Sequence, residues 1–316
     1  MLAIINRFVK QLAGKFKTGH STQYTASIMM SSTAYFLLIY QKGNKQPVFS
    51  NQLKVNDPHN WQAELDTFLD HPYLTQAVIN IILPSDQYQM LVVDRPNVND
   101  EELTQAVRYA AKDYVNLPLD EVAVDYFDIP IQIFGQNKLN LIAVRLDFLQ
   151  KLIKTCLRRC EKINRISVDE LAYQELFTDD KDASMLVIHQ PNEELLMQIV
   201  KEGQLYFFRR IRGYNKLNEY TDFEINQGAA DSLSIEIQRS LDYFESQLRQ
   251  APVKRIYVSI SSHQESLLID KIGENFSMPV LPLKNRLADE LPADTENQHG
   301  YYPAVGAVQE LIREAY

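Results

Sequence analysis

The chain has 316 residues, 45% of them apolar, enough to bury one large core or two ordinary ones. Its net charge of −9 disfavours nonspecific binding to nucleic acid. The only cysteines, Cys156 and Cys160, share a face of a helical run with no third or fourth ligand nearby. They define neither a zinc site nor a disulfide framework, and they fit a reducing compartment.

Residues 1–21 stand apart as a basic N-terminal segment. Arg7, Lys10, Lys15 and Lys17 occur there with no acidic residue, and Leu2, Ile5, Phe8, Leu12 and Phe16 fall close to one helical face. Such a segment lies on an anionic membrane surface or docks on a partner, with residues 1–17 making the contact. A tail that packs on its own domain or stays disordered is the other reading. No stretch has the apolar core and cleavage site of a signal peptide. The longest apolar runs, Ala34–Tyr40 and Val78–Leu83, are too short to span a bilayer. A soluble cytoplasmic protein is expected.

Ala26–Leu53 reads as three strands, with turns at Ser31-Ser32 and Lys42-Gly43-Asn44. Trp61–Leu69 predicts a helix. Val78–Leu83 predicts a central strand covered on both faces. Gln87–Asp94 is a further strand. Asn99 with Glu102 predicts a capped helix start, with Leu103, Ala106, Val107, Ala110 and Tyr114 as the buried face and Pro118 as the stop. Val122–Ile129 and Leu139–Leu146 follow as strands, and Asp147 with Gln150 predicts the cap of a basic helix to about Cys160. This βαββα block, about residues 86–146, has the size of an inserted subdomain. Val168–Phe177 reads as a short helix, and the charged link Asp179–Asp182 as a domain boundary.

Met185–His189, Leu195–Lys201 and Gln204–Ile211 repeat the three-strand pattern, with Glu202-Gly203 in the second turn. ASIMMSSTAYFLLIYQKG at 26–43 lies over MLVIHQPNEELLMQIVKEG at 185–203, and Gly43 and Gly203 are 160 residues apart. A helix from Ser234 follows, with Ile237, Leu241, Phe244 and Leu248 on one face, stopped by Pro252. Val253–Ile260 is a strand. Ser262 with Glu265 predicts a capping box and a helix from near His263, buried through Leu268, Ile272 and Phe276. Met278–Pro282 returns as a strand and completes a βαβ unit. The chain therefore reads as an internal duplication, 22–178 and 179–316, after the N-terminal segment.

Two stretches carry a family resemblance. NDEELTQAVRYAAKDYVNLPLDEVAVDYFDIP, from Asn99, resembles the segment of PilM-like proteins in which EELxxAVRxxAxxY leads into PLDEVxxDY. SIEIQRSLDYFESQL, RIYVSI and MPVLPL resemble the last third of the same family, and within it the branch that serves the mannose-sensitive haemagglutinin (MSHA) pilus. These are actin-like cytoplasmic components of bacterial type IV pilus assembly. The resemblance implies an α/β, actin-like fold, a ribonuclease-H-like duplication of the PilM/FtsA type with an inserted βαββα subdomain. It also implies a place on the cytoplasmic face of a Gram-negative inner membrane. There a groove between the N-terminal lobe and the subdomain takes the cytoplasmic tail of a PilN-like bitopic partner. Arg108, Tyr114, Leu117 and Leu119 are the candidates for lining it. Other pilus-platform components are further expected partners.

The same resemblance exposes what is missing. Family members grip nucleotide phosphate between two turns reading roughly Asp-Ile-Gly-Ser, whose amides face phosphate and whose aspartates organise Mg²⁺. Here the first turn is Ile28-Met29-Met30-Ser31-Ser32, and the second is Ile188-His189-Gln190-Pro191-Asn192. His189 replaces an aspartate. Pro191 has no N–H to offer, and Met30 brings a long side chain into the phosphate space. The glycine-rich adenosine turn is matched by Ile260-Ser261-Ser262, without glycine. Glu236 and Arg239, on the helix that flanks nucleotide in the family, read as a solvated face. No Walker A, G-x-S-x-G, H-E-x-x-H or G-x-G-x-x-G pattern occurs, and His20, His59, His71, His189, His263 and His299 are scattered. The expectation is a non-enzymatic scaffold, an actin-like pseudo-ATPase with no catalytic residue, metal or cofactor, ATP and Mg²⁺ being disfavoured. The alternatives are an ATP-binding switch of the same platform and a cytoplasmic module of a type II secretion platform.

Overall fold

The computed structural model describes residues 22–287, 290–291 and 297–314. The basic segment lies outside them. The described chain clusters into two compact units: residues up to Ala172 together with those from Pro303 on, and Tyr173–Tyr302. The change therefore falls at Ala172, before the charged link 179–182, and the C-terminal residues belong to the first unit rather than the second.

In the first unit, β1 (Tyr24–Met30), β2 (Ala34–Gln41) and β3 (Phe49–Lys54) form an antiparallel meander. Helix α1 (Trp61–Phe68) leads to β4 (Ala77–Ile82), which pairs parallel to β1. The inserted block is β5 (Tyr88–Asp94), α2 (Asp100–Ala110), β6 (Val122–Asp128), β7 (Lys138–Arg145) and α3 (Leu146–Cys156). Strand β8 (Lys162–Ser167) returns parallel to β4, and α4 (Asp169–Glu175) follows. The large sheet runs β3-β2-β1-β4-β8, and the subdomain sheet runs β5-β7-β6. Leu103, Val107, Ala111 and Val115 pack on the subdomain sheet against Val93, Val124, Leu139 and Leu141. Two polar side chains are buried in the large sheet. Ser27 Oγ donates to the carbonyl of Ala304 at 2.7 Å, and Asn80 Nδ2 to that of Ala307 at 2.9 Å. These bonds seat helix α7 (Gln298–Glu314), from Pro303 on, and satisfy both buried side chains.

In the second unit, β9 (Ser184–His189), β10 (Leu195–Lys201) and β11 (Gln204–Ile211) form the matching meander. Helix α5 (Ala230–Asp242), β12 (Arg255–Ile260), α6 (Glu265–Gly273) and β13 (Val280–Pro282) follow. Sheet order is β11-β10-β9-β12-β13, with β12 parallel to both neighbours. Each unit thus repeats one plan, an antiparallel meander extended by two parallel strands from its first member. The duplication read from the two turn patterns is present in the fold. Ile237, Leu241, Phe244 and Leu248 are all buried, as the helical spacing predicts.

Several local expectations are corrected. Strand β8 and helix α7 were not anticipated. A register shift at Ile79/Asn80 breaks the alternation of β8, and Gly300, Pro303 and Gly306 mask α7. Neither Asn99 nor the residue before α3 caps with its side chain. Asp147 instead lies inside α3 and pairs with Arg145 at 3.1 Å. Helix α2 stops at Ala110, well before Pro118, and Tyr114 is 43% exposed while Val115 takes the buried place. A true capping box forms at Thr221 and Glu224, ahead of α5.

The β10–β11 turn offers a stability test. Glu202 and Gly203 both have positive φ, 52° and 66°, the geometry of a two-residue hairpin turn. A Cβ on Gly203 would lie 2.9 Å from Thr178 Cα, whereas one on Gly43 (φ +92°) meets nothing within 4 Å. Gly203→Ala should cost about 1–2 kcal/mol of left-handed strain plus the clash, and Gly43→Ala the strain alone. Denaturant unfolding of the two variants measures the difference.

Candidate functional site

Each of the three turns that hold nucleotide in the resembled family can be followed donor by donor. In the β1–β2 turn, Ser31 Oγ accepts from the amides of Ala34 at 3.0 Å and Thr33 at 3.3 Å, and the Ser31 amide donates to the Ala34 carbonyl. One serine side chain absorbs the donors a phosphate would need. Met30 beside it is buried. In the β9–β10 turn, the Asn192 amide donates to the Asn215 carbonyl and the Glu193 amide to that of Gln190. Pro191 has no donor, and the carboxylates of Glu193 and Glu194 are paired with Arg210 at 4.0 Å and Arg212 at 3.1 Å.

The turn after β12 is occupied by the chain's own carboxylate. Glu265 Oε1 accepts from the Ile260 amide at 3.0 Å, and the Ser261 amide points to the His189 carbonyl at 3.5 Å. The capping box expected at Ser262 is therefore not made. Ser262 Oγ accepts from Gln264 N, and Glu265 turns inward instead. His299 Nδ1 lies 3.0 Å from Ser259 Oγ and 3.6 Å from Glu265 Oε1, and the ring packs edge-on against Tyr302. Gln190 Nε2 donates to the His299 carbonyl at 2.9 Å. Burial pushes the Glu265 carboxyl up, partly offset by the Ile260 amide and Lys284. Burial, aided by Lys284, lowers His299 to about 4. His189 is fully buried with neither ring nitrogen in hydrogen-bond geometry, and burial lowers it to about 4 against the pull of the Asn215 and Tyr214 carbonyls. His189 thus stands neutral at the end of β9. Glu236 is not on a solvated face. Its side chain is 17% exposed and pairs with Arg209 at 2.9 Å and with Arg239.

The open site of the first unit is a groove of about 620 Å³. The lobe supplies one wall, with Met30, Ser31, Tyr35, Val55 and Trp61. The segments leading into and out of the subdomain supply the other, with Asp86, Arg145, Asp147, Phe148 and Lys151. The Trp61 and Phe148 rings meet across the floor at 5.0 Å. The rim is charged in both signs. Arg145 holds the Asp147 carboxyl below the usual carboxylate range, and Lys151 Nζ reaches the same group at 4.0 Å. A groove that mixes aromatic and aliphatic surface with polar and charged groups of both signs suits a short extended peptide. Arg108, Tyr114, Leu117 and Leu119 do not line it. Arg108 donates to the Leu119 carbonyl at 3.0 Å, Leu117 and Leu119 pack on the subdomain core, and Tyr114 faces solvent. The residues missed, Trp61 and Phe148, fall in stretches predicted as helices, where no local pattern marks a cleft. Met30 and Ser31, singled out for lost phosphate chemistry, line this groove instead.

No family model and no curated relative matches the sequence. Among solved structures, the chain is similar to a PilM-PilN type IV pilus biogenesis complex, with TM-score 0.67 and 13% identity over 91% of this chain and 98% of that one. It is also similar to a protein with an actin-like ATPase fold and unknown function from Bacteroides thetaiotaomicron, with TM-score 0.51 and 14% identity over 89% and 96%. The cytoplasmic domain of EpsL, from the type II secretion system of Vibrio cholerae, matches at TM-score 0.48 and 12% identity over 81% and 97%. The fold is the actin-like α/β fold, with the βαββα subdomain inserted in its first unit.

The buried histidines set a pH dependence. An ordinary histidine near 6.5 binds protons in the unfolded chain that His189 and His299, at about 4, refuse when folded. Stability is therefore lost as pH falls from about 6.5 to about 4, by about 3 kcal/mol for each histidine. Glu265, shifted up, acts in the opposite sense. Urea unfolding between pH 7 and pH 4 should show the loss, and His189→Leu should flatten it by about the share of one histidine.

Proposed function

We propose that this protein is a non-enzymatic scaffold of a type IV pilus platform, of the MSHA type and MshI-like, at the cytoplasmic face of the inner membrane. It binds the cytoplasmic tail of a PilN-like bitopic partner in the groove floored by Trp61 and Phe148. The single observation that carries this reading is that groove, formed where the resembled family receives its partner's tail. The similarity to a structure whose title names a PilM-PilN complex supports it. The tail would lie extended, with backbone pairing for affinity and alternate side chains in the Trp61–Phe148 and Tyr35–Val55 pockets. Charges of both signs at the rim, Lys151 and Asp86, would set its register. Among the described residues no helix is long and apolar enough to cross a membrane. In this reading, attachment to the membrane runs through the partner, or through residues 1–17.

The protein works without ATP in this reading. Donors at the three turns are taken by Ser31 Oγ, by the Asn215 and Gln190 carbonyls and by Glu265, and the last places a resident carboxylate where a nucleotide would need donors. The pseudo-ATPase character and the absence of cofactor belong to the proposal.

Calorimetric titration with the partner's cytoplasmic tail peptide and, separately, with Mg-ATP tests both parts. The peptide should give a clear isotherm and Mg-ATP no heat. Trp61→Ala should weaken peptide binding by about 2 kcal/mol, roughly 30-fold. Ser32→Arg, an exposed turn position on the groove, should weaken it without touching the core. An ATP isotherm in the low micromolar range sinks the pseudo-ATPase claim, and equal peptide affinity in both variants sinks the groove.

A further inference from the structure

A second groove of the first unit, about 480 Å³, runs between the edge strand β3 and helix α1. Phe49, Leu53 and Phe68 give it an apolar surface, Glu64 and Asp70 line it with acid, and among the described residues no lysine or arginine does so. The Asp70 side chain is 70% exposed, and its partner Arg159 also serves Asp66. Among the described residues, strand β3 has no neighbour on its outer edge in the sheet order.

The groove is tied to the start of the described chain by an aromatic ladder. The Phe49 ring stacks on His71 at 4.0 Å, His71 meets Tyr73 edge-on at 4.9 Å, and Tyr73 stacks on Tyr24 at 4.6 Å. Phe49 and His71 are groove residues, and Tyr24 is the first residue of β1. The start of β1 is thus linked by ring contacts to one end of the groove. What precedes it in sequence is the segment with Arg7, Lys10, Lys15 and Lys17, no acidic residue, and Leu2, Ile5, Phe8, Leu12 and Phe16 at helical spacing. Its chemistry complements the groove in both respects, apolar to apolar and basic to acidic. Tethering supplies a high effective concentration, so modest contacts suffice to hold it.

We propose that the β3–α1 groove is the intramolecular seat of the basic segment 1–20, which competes there with any anionic membrane surface for the same lysines. This is independent of the tail-binding groove, which uses other residues.

Endoproteinase Lys-C, which cuts at Lys10, Lys15 and Lys17, reads the seat in the full chain. Ala63 and Thr67 line the groove on the exposed side of α1. Ala63→Arg/Thr67→Arg adds repulsive charge, keeps good helix formers and creates no new cleavage site. Cleavage at the three lysines should be at least about fivefold faster in this variant than in the unmodified protein, while Ala63→Glu/Thr67→Glu should stay protected. Phosphatidylglycerol vesicles should compete, removing the difference between the arginine and glutamate variants. Equal cleavage rates without vesicles in all three proteins overturn the proposal. So does protection that arises only when vesicles are present.

Discussion

Strand β1, and β9 in the second unit, each pair antiparallel on one side and parallel on the other. That position forces both faces of the strand under cover, because parallel neighbours are reached only by crossover segments packed on the sheet. Much else follows from it. Ile28, Met29 and Met30 are buried, as are Met185 to His189. Ser27 and Asn80 must find partners in α7, and they do. The hairpin turns at the ends of β1 and β9 are where each sheet presents backbone donors to its surroundings.

What those turns do with their donors decides the chemistry. An anion site needs amides that are free and aimed outward. Here Ser31 folds back on its own turn, Pro191 removes one donor outright, and Glu265 brings a carboxylate to the Ile260 amide. A buried neutral histidine at His189, its ring nitrogens outside hydrogen-bond geometry, and a neutral His299 against Ser259 and Glu265 lie in the same interior of the second unit. Each internal acceptor that takes a turn donor adds a fixed contact to the fold.

The first unit has an open groove elsewhere. The subdomain leaves the large sheet after β4 and returns to it at β8, and Tyr88 binds it back through the carboxylates of Asp169 and Glu170. The ion pairs of Arg159 with Asp66 and Asp70 hold the end of α3 to α1. Between these ties the chain leaves a groove with aromatic floor and charged rim, the common form of a short-peptide site.

Sequence by itself determined the periodic elements and their order. The meanders were legible because a two-residue period bounded by glycine turns at Gly43 and Gly203 is a local signal, and so was α5, whose apolar face repeats every helical turn. The duplication followed from aligning those signals, and the altered turns from reading residue types at them. Tertiary structure alone decided the rest. Strand β8 carries no clean alternation because its pairing shifts at Asn80, and α7 is helical despite an internal proline because its residues from Pro303 on are held by the sheet beneath. Capping followed geometry rather than spacing, so Glu265 turned to Ile260 and Asp147 to Arg145. The groove was the hardest to foresee. Trp61 and Phe148 lie far apart in sequence, and whether an aromatic lines a core or a cleft depends on what the fold leaves unfilled beside it, which no local pattern encodes.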